Sequence, residues 1–177
     1  GDGIIENNIV MRRVWAMPNS KTFEIRPIAE LLHKYIKPTD VVIDPFANES
    51  KIATITNDLN PNYDTDYHMD ALEFITMFSD ESVDVVLYDP PYSPRQVSEY
   101  YKGVGREVTS IDTSRAWRRK HLDEISRILK PGGIVFCFGW NSNGVGKKRG
   151  FQMKEILLVA HGGSHNDTIC TVEVKKN

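Results

Sequence analysis

Asp89-Pro90-Pro91-Tyr92 follows directly on an apolar, β-branched run, Val83 to Tyr88, that reads as a buried strand. The first proline disfavours helix at Asp89 and removes a backbone donor, and the second fixes φ again. The four residues should therefore form a stiff, extended loop past a strand's carboxyl end, which is where open α/β sheets bind ligands. The loop offers a carboxylate acceptor, prolyl carbonyls able to accept hydrogen bonds, and an aromatic face, with little chain entropy left to lose. Two acceptors and a ring suit a planar base carrying an exocyclic amine. A proline-stiffened turn capped by Asp89 would account for Asp-Pro-Pro alone, but Tyr92 after a hydrophobic strand tips the reading towards binding.

Three more acidic residues fall where strands should end. Val41-Val42-Ile43-Asp44-Pro45-Phe46 reads as the first strand of a sheet, leading into the turn Ala47-Asn48-Glu49-Ser50-Lys51. Asn48 tolerates left-handed backbone and Ser50 can cap a helix, whereas Glu49 sets a bulky anion in the turn. Thr56 to Pro61 reads as a short second strand with Asp58 near its carboxyl end. A carboxylate there can accept both hydroxyls of a ribose, or simply close a turn. Asp70 follows a weak third strand and should cap a helix in which Leu72, Ile75, Met77 and Phe78 supply apolar surface.

The surrounding chain supplies the frame. Residues 1–19 read as an irregular N-terminal arm. A helix then starts near Pro27, with Ile28, Leu31, Leu32 and Tyr35 on one face. After Tyr92 the chain runs to Tyr101 and into a polar stretch, Lys102 to Ser110, expected as a mobile loop at the mouth of the site. Arg115, Trp117, Arg118, Arg119, Lys120 and His121 open a helix whose Leu122, Ile125, Ile128 and Leu129 face the core. This basic run beside an aromatic can meet phosphates and a base, or serve as a solvated helix face. Leu129-Lys130-Pro131-Gly132-Gly133 reads as a helix stop and turn before the strand Ile134 to Gly139. A polar loop, Trp140 to Gly146, and Lys147-Lys148-Arg149 follow, the latter expected as a second basic patch at the site's rim. Met153 to Ala160 and Thr168 to Val174 read as two final strands, with His161 and His165 as loop polarity or target contacts rather than metal ligands. The alternation predicts an α/β, doubly wound sheet, mostly parallel with an antiparallel last strand.

At 177 residues and 40% hydrophobic content, the chain suits a single domain spanning 1–177. No run reaches the roughly 18 apolar residues of a membrane span, so the sequence reads as soluble and cytoplasmic. Cys137 and Cys170 lack paired ligand spacing and read as reduced core thiols. The net charge of −2 gives no global attraction to a polyanion, so nucleic acid must meet a local basic face, with Arg115, Arg118, Arg119, Lys147, Lys148 and Arg149 as candidates.

In Asp89-Pro90-Pro91-Tyr92, and over nearly its whole length, the chain resembles the amino-methyltransferases that methylate an exocyclic amine in nucleic acid. The likeness is greatest to small adenine-specific methylases carried by phages and mobile elements. The resemblance implies the class I methyltransferase fold, S-adenosylmethionine as cofactor and N6-adenine in DNA as target. In this reading Asp89, Pro90, Pro91 and Tyr92 hold the amine and base, while Phe23, Asp44, Pro45, Phe46, Asn48, Asp58 and Asp70 hold the cofactor, Asp70 in addition to its capping role. Phe23 reads equally as a plain core residue. The family's usual Asp-Pro-Phe-x-Gly-x-Gly is here Asp44-Pro45-Phe46-Ala47-Asn48-Glu49-Ser50, without either glycine. A catalytically silent partner subunit is therefore an alternative, as is a methylase of a cytosine amine, RNA or protein glutamine. No separate target-recognition region is expected, so specificity would come from short loops or a partner.

Overall fold

The structure, a computed structural model, describes residues 3–6, 8–91, 94–105, 115–163 and 165–177. Its strands are β1 (Ile4–Glu6), β2 (Ile9–Trp15), β3 (Val42–Asp44), β4 (Ile55–Thr56), β5 (Val83–Tyr88), β6 (Leu129–Gly139), β7 (Phe151–Ala160) and β8 (Thr168–Lys175). They form one sheet in the order β1-β2-β7-β8-β6-β5-β3-β4. β4, β3, β5 and β6 run parallel, and β8 lies antiparallel between β6 and β7.

The central strands are apolar on both faces because both are covered. Val42, Val85, Leu87, Phe136 and Phe138 share one layer with Ile28, Leu31 and Leu32 of α1 (Arg26–Tyr35). Ile43, Val86, Tyr88, Val135 and Cys137 share the other with α2 (Ala71–Thr76) and α4 (Arg115–Ile128). Pro27 sits in the first turn of α1, as its fixed φ favours. In α2 the buried residues are Ala71, Phe74 and Ile75, while Met77, expected as apolar surface, is exposed. α3 (Pro94–Lys102) occupies the run after the Asp-Pro-Pro loop, with Val97 and Tyr101 buried against Leu59. Of the expected loop from Lys102 to Ser110, Lys102 ends α3 and 106–110 lie outside the described residues.

Three expectations are corrected. The third strand reduces to a single bridge, Asn57 to Tyr67. Leu129–Gly133 is not a turn ahead of the strand but the irregular start of β6, whose pairing with β5 steps from Val83–Leu129 to Val85–Ile134. The arm is also not irregular: β2 pairs in parallel with β7 from Val10–Glu155 to Trp15–Ala160, and Asn8, at φ 66°, turns the chain from β1 into it. The adjacent Arg12-Arg13 interrupts the period-two alternation that would have marked this strand. Arg12 has a specific use. The Glu155 side chain is fully buried and meets Arg12 at 3.3 Å, Lys34 at 2.9 Å and the Tyr35 hydroxyl at 2.8 Å, joining β2, β7 and α1.

Burial pushes the Glu155 carboxyl up, but its hydrogen bonds from Lys34 and Tyr35 and the nearby Lys34 and Arg12 charges outweigh burial and hold it below the usual range. A carboxyl lowered on folding stabilises the protein above its unfolded value, and the benefit fades as pH falls through the folded value. Glu155→Gln should therefore cost about 1–3 kcal/mol at pH 7. Urea unfolding should show the gap to wild type narrowing as the medium is acidified into and below the carboxylate range.

Candidate active site

A cavity of about 930 Å³ opens at the carboxyl edge of the sheet, between the segment preceding α1, the turn after β3, and the Asp-Pro-Pro loop after β5. Of the residues expected from the sequence, Phe23, Phe46, Asn48, Asp58, Asp89, Pro90 and Pro91 line it. Tyr92 lies outside the described residues.

The glycine-free turn closes through side chains. Asn48 takes up left-handed backbone at φ 55°, and its N–H donates to Asp58 Oδ2 at 2.9 Å. The Ala47 N–H donates to the Asn57 carbonyl and the Ser50 N–H to the Ala47 carbonyl, each at 2.9 Å. Asp58 Oδ1 accepts the Asn60 N–H at 3.0 Å. Each Asp58 oxygen thus holds one backbone amide and keeps further acceptor capacity. Burial raises the Asp58 carboxyl above its ordinary value, and those two amide bonds offset part of the rise. Glu49 is ion-paired with Lys21 at 3.4 Å.

Asp44 and Pro45 lie behind this wall and do not line the cavity. Asp44 is fully buried: Oδ1 accepts the Phe46 N–H at 3.2 Å, while Oδ2 has no hydrogen-bond partner. Burial, then the negative charge of Asp89, drives its carboxyl well above the usual range. The Pro45 carbonyl accepts from Asn57 Nδ2 at 3.1 Å. Asp70 caps α2 as expected, accepting the Leu72 N–H at 3.1 Å, but it too stands apart from the cavity lining. Its other oxygen accepts the Tyr101 hydroxyl at 2.6 Å, and that hydroxyl accepts from Trp117 Nε1 at 3.0 Å.

The sequence did not announce the ring cluster behind the site. Phe46 packs 5.7–6.0 Å from the rings of Tyr88, Tyr100, Trp117 and His121. Trp117 and His121 are four residues apart on α4, a spacing that places both on one helix face. His121 is therefore a core residue and not part of a basic run: it is fully buried, with Nδ1 2.7 Å from the Tyr88 hydroxyl.

The expected basic rim is also redrawn. Arg118 lies with its guanidinium 5.4 Å over the Tyr88 ring, while Arg115 and Arg119 remain exposed at the start of α4. Lys147, Lys148 and Arg149 sit away from the cavity. Arg149 pairs with Asp123 at 2.8 Å in the second half of α4, and Phe151 just beyond it pairs with Lys175 near the amino end of β6. Buried Glu173 directs the loop to that side by accepting the Val145 and Gly146 N–H groups at 2.7 and 2.9 Å. Among the described residues there is no cluster of metal-ligating side chains and no helix long and apolar enough to cross a membrane.

The fold is that of the class I methyltransferases. It is similar to Burkholderia thailandensis 1,6-didemethyltoxoflavin-N1-methyltransferase, a structure with bound S-adenosylhomocysteine, at TM-score 0.57 and 12% identity over 86% of this chain and 78% of that one. It is similar to TrmN from Thermus thermophilus at TM-score 0.56 and 17% identity, over 85% of this chain and 49% of that one. In sequence, 92 residues are 35% identical to the type II methyltransferase M.BamHI of Bacillus amyloliquefaciens, covering 48% of this chain and 21% of the relative. A further 30% identity over 81 residues links it to the type II methyltransferase M2.DpnII of Streptococcus pneumoniae, over 41% of this chain and 30% of the relative. The matches thus span a third or less of those two proteins. No family model matches the chain.

Burial pushes His121 down to about 4. The unfolded chain takes up this proton near 6.5, so between 6.5 and about 4 acid favours the unfolded state and stability falls as pH drops. His121→Asn removes that titration. Its stability deficit at pH 7 should shrink by about 2 kcal/mol at pH 4.5, read from paired denaturant curves.

Proposed function

We propose that this chain is an S-adenosylmethionine-dependent methyltransferase acting on the exocyclic amine of adenine in DNA. The observation that carries the reading is that Asp89 and Pro90, at the carboxyl end of β5, line the same cavity as Asp58, Phe23 and Phe46. One cavity thus offers acceptors for an amine beside a carboxylate and rings suited to a nucleoside. The cavity's size is in the range of small-molecule sites, and the lone pairs left on Asp58 suit ribose hydroxyls. The sequence relatives' names and the shared fold support the same class of reaction.

The bound cofactor supplies an electrophilic methyl group. Asp89 and the Pro90 carbonyl accept the amine's two hydrogens, so that nitrogen density points at the methyl, and Tyr92 stacks on the base. Attack of the nitrogen on that methyl would break its bond to the sulfonium sulfur and release S-adenosylhomocysteine; Asp89 would face the positive charge gained by the nitrogen and take the proton it sheds. Burial and then the negative charge of Asp89 push the Asp44 carboxyl up. A duplex target must extrude its base, at a few kcal/mol, which favours mispaired or single-stranded adenine. Phosphate contacts fall to the exposed Arg115 and Arg119.

Transfer of labelled methyl to oligonucleotides, followed by digestion to nucleosides, tests this reading. N6-methyladenine is the expected product; methylated cytosine would change the target, and no product on any nucleic acid would point to a silent subunit. Asp89→Ala should lower transfer about 100-fold or more with the fold intact. Tyr92→Phe keeps the ring and should remain active.

A further inference from the structure

We propose that Lys21 and Glu49 together seat the amino-acid end of the cofactor, Lys21 taking its carboxylate and Glu49 its ammonium. This assignment rests on the S-adenosylmethionine reading above and deepens it.

Three backbone donors of the turn after β3 are in use. The Ala47, Asn48 and Ser50 N–H groups already donate to Asn57, Asp58 and Ala47. A carboxylate arriving there would be complemented by a side-chain cation. Among the described residues two lysines line the cavity; Lys51 reaches away to Asp64, where it donates to the backbone carbonyl as well as forming an exposed ion pair with the carboxylate. Lys21 stands at the other wall, 3.4 Å from Glu49, with the two side chains 52% and 59% exposed.

A pair that open to water contributes between nothing and about 1 kcal/mol, so separating it costs little. An ammonium beside a carboxylate is also the charge complement of an α-amino acid. Inserting the zwitterion between Lys21 and Glu49 replaces one exposed ion pair by two and leaves the net charge unchanged. Glu49, at the variable position between the two positions where glycines would be usual, thereby gains a role in the turn.

The test is titration calorimetry of the full chain with S-adenosylmethionine, S-adenosylhomocysteine and 5′-methylthioadenosine, which keeps the nucleoside and lacks the amino-acid end. Lys21→Ala and Glu49→Gln should each weaken the first two ligands about tenfold and leave the third unchanged, with Lys21→Arg recovering most of the loss. Equal weakening of all three ligands, or of none, overturns the assignment while the cofactor reading stands. Glu24 also lines the cavity, and the assignment falls equally if Glu24→Gln, and not Glu49→Gln, discriminates against the amino-acid end. Failure of the unaltered protein to bind either sulfonium or thioether cofactor overturns the cofactor reading itself, and this assignment with it.

Discussion

The carboxyl edge of the sheet depends on the side-chain amide of Asn57. Fully buried, it donates from Nδ2 to the carbonyls of Pro45 and Met69 at 3.1 and 2.9 Å and accepts the Met69 N–H at 2.9 Å. Its own backbone accepts from Ala47 and donates to the Asp44 carbonyl. β3 and β4 are only three and two residues long, too short to hold their exits by ladder bonds alone. One amide therefore ties the turn after β3 to the segment entering α2. A buried amide with its bonds satisfied is stabilising, whereas one left half-satisfied is costly, so this residue tolerates little change.

With that edge in place, the acidic groups divide by environment. Asp58 is held by backbone amides, Asp70 by a helix start and a tyrosine, and Asp44 by burial beneath its neighbours. The three side chains are chemically alike, yet each has a different set of partners. The aromatic packing around Phe46 keeps this region dry on the core side, so the electrostatic differences are felt more strongly than they would be in water.

Much of this was legible in the sequence because the relevant signals are local. The apolar run broken by two prolines marks the end of β5, Pro27 marks the start of α1, Asp70 marks the cap of α2, and Asn48 marks a left-handed turn. Non-local features were not legible. β2 is defined by pairing with β7, more than a hundred positions away, and its own pattern is interrupted by two arginines. The path of Lys147–Arg149 is set by Glu173, which grips Val145 from 28 positions further on. His121 looked like the end of a charged run; its four-residue spacing from Trp117 was readable, but only the packed helix shows that it is buried.

The strand status of the former arm has a consequence for how the cavity meets a ligand. The segment carrying Lys21 and Phe23 is anchored upstream, where the Ala16 N–H and carbonyl bond to the Ala160 carbonyl and His161 Nδ1, each at 3.0 Å. Downstream it enters α1 directly, and between the two the Asn19 side chain accepts the Lys21 N–H at 2.9 Å. A free tail would have to surrender roughly 1–2 kcal/mol of backbone entropy per residue on wrapping a ligand. Here that ordering is completed when the sheet forms, so one wall of the cavity is a standing surface whose shape is dictated by strand pairing on the far side of the molecule.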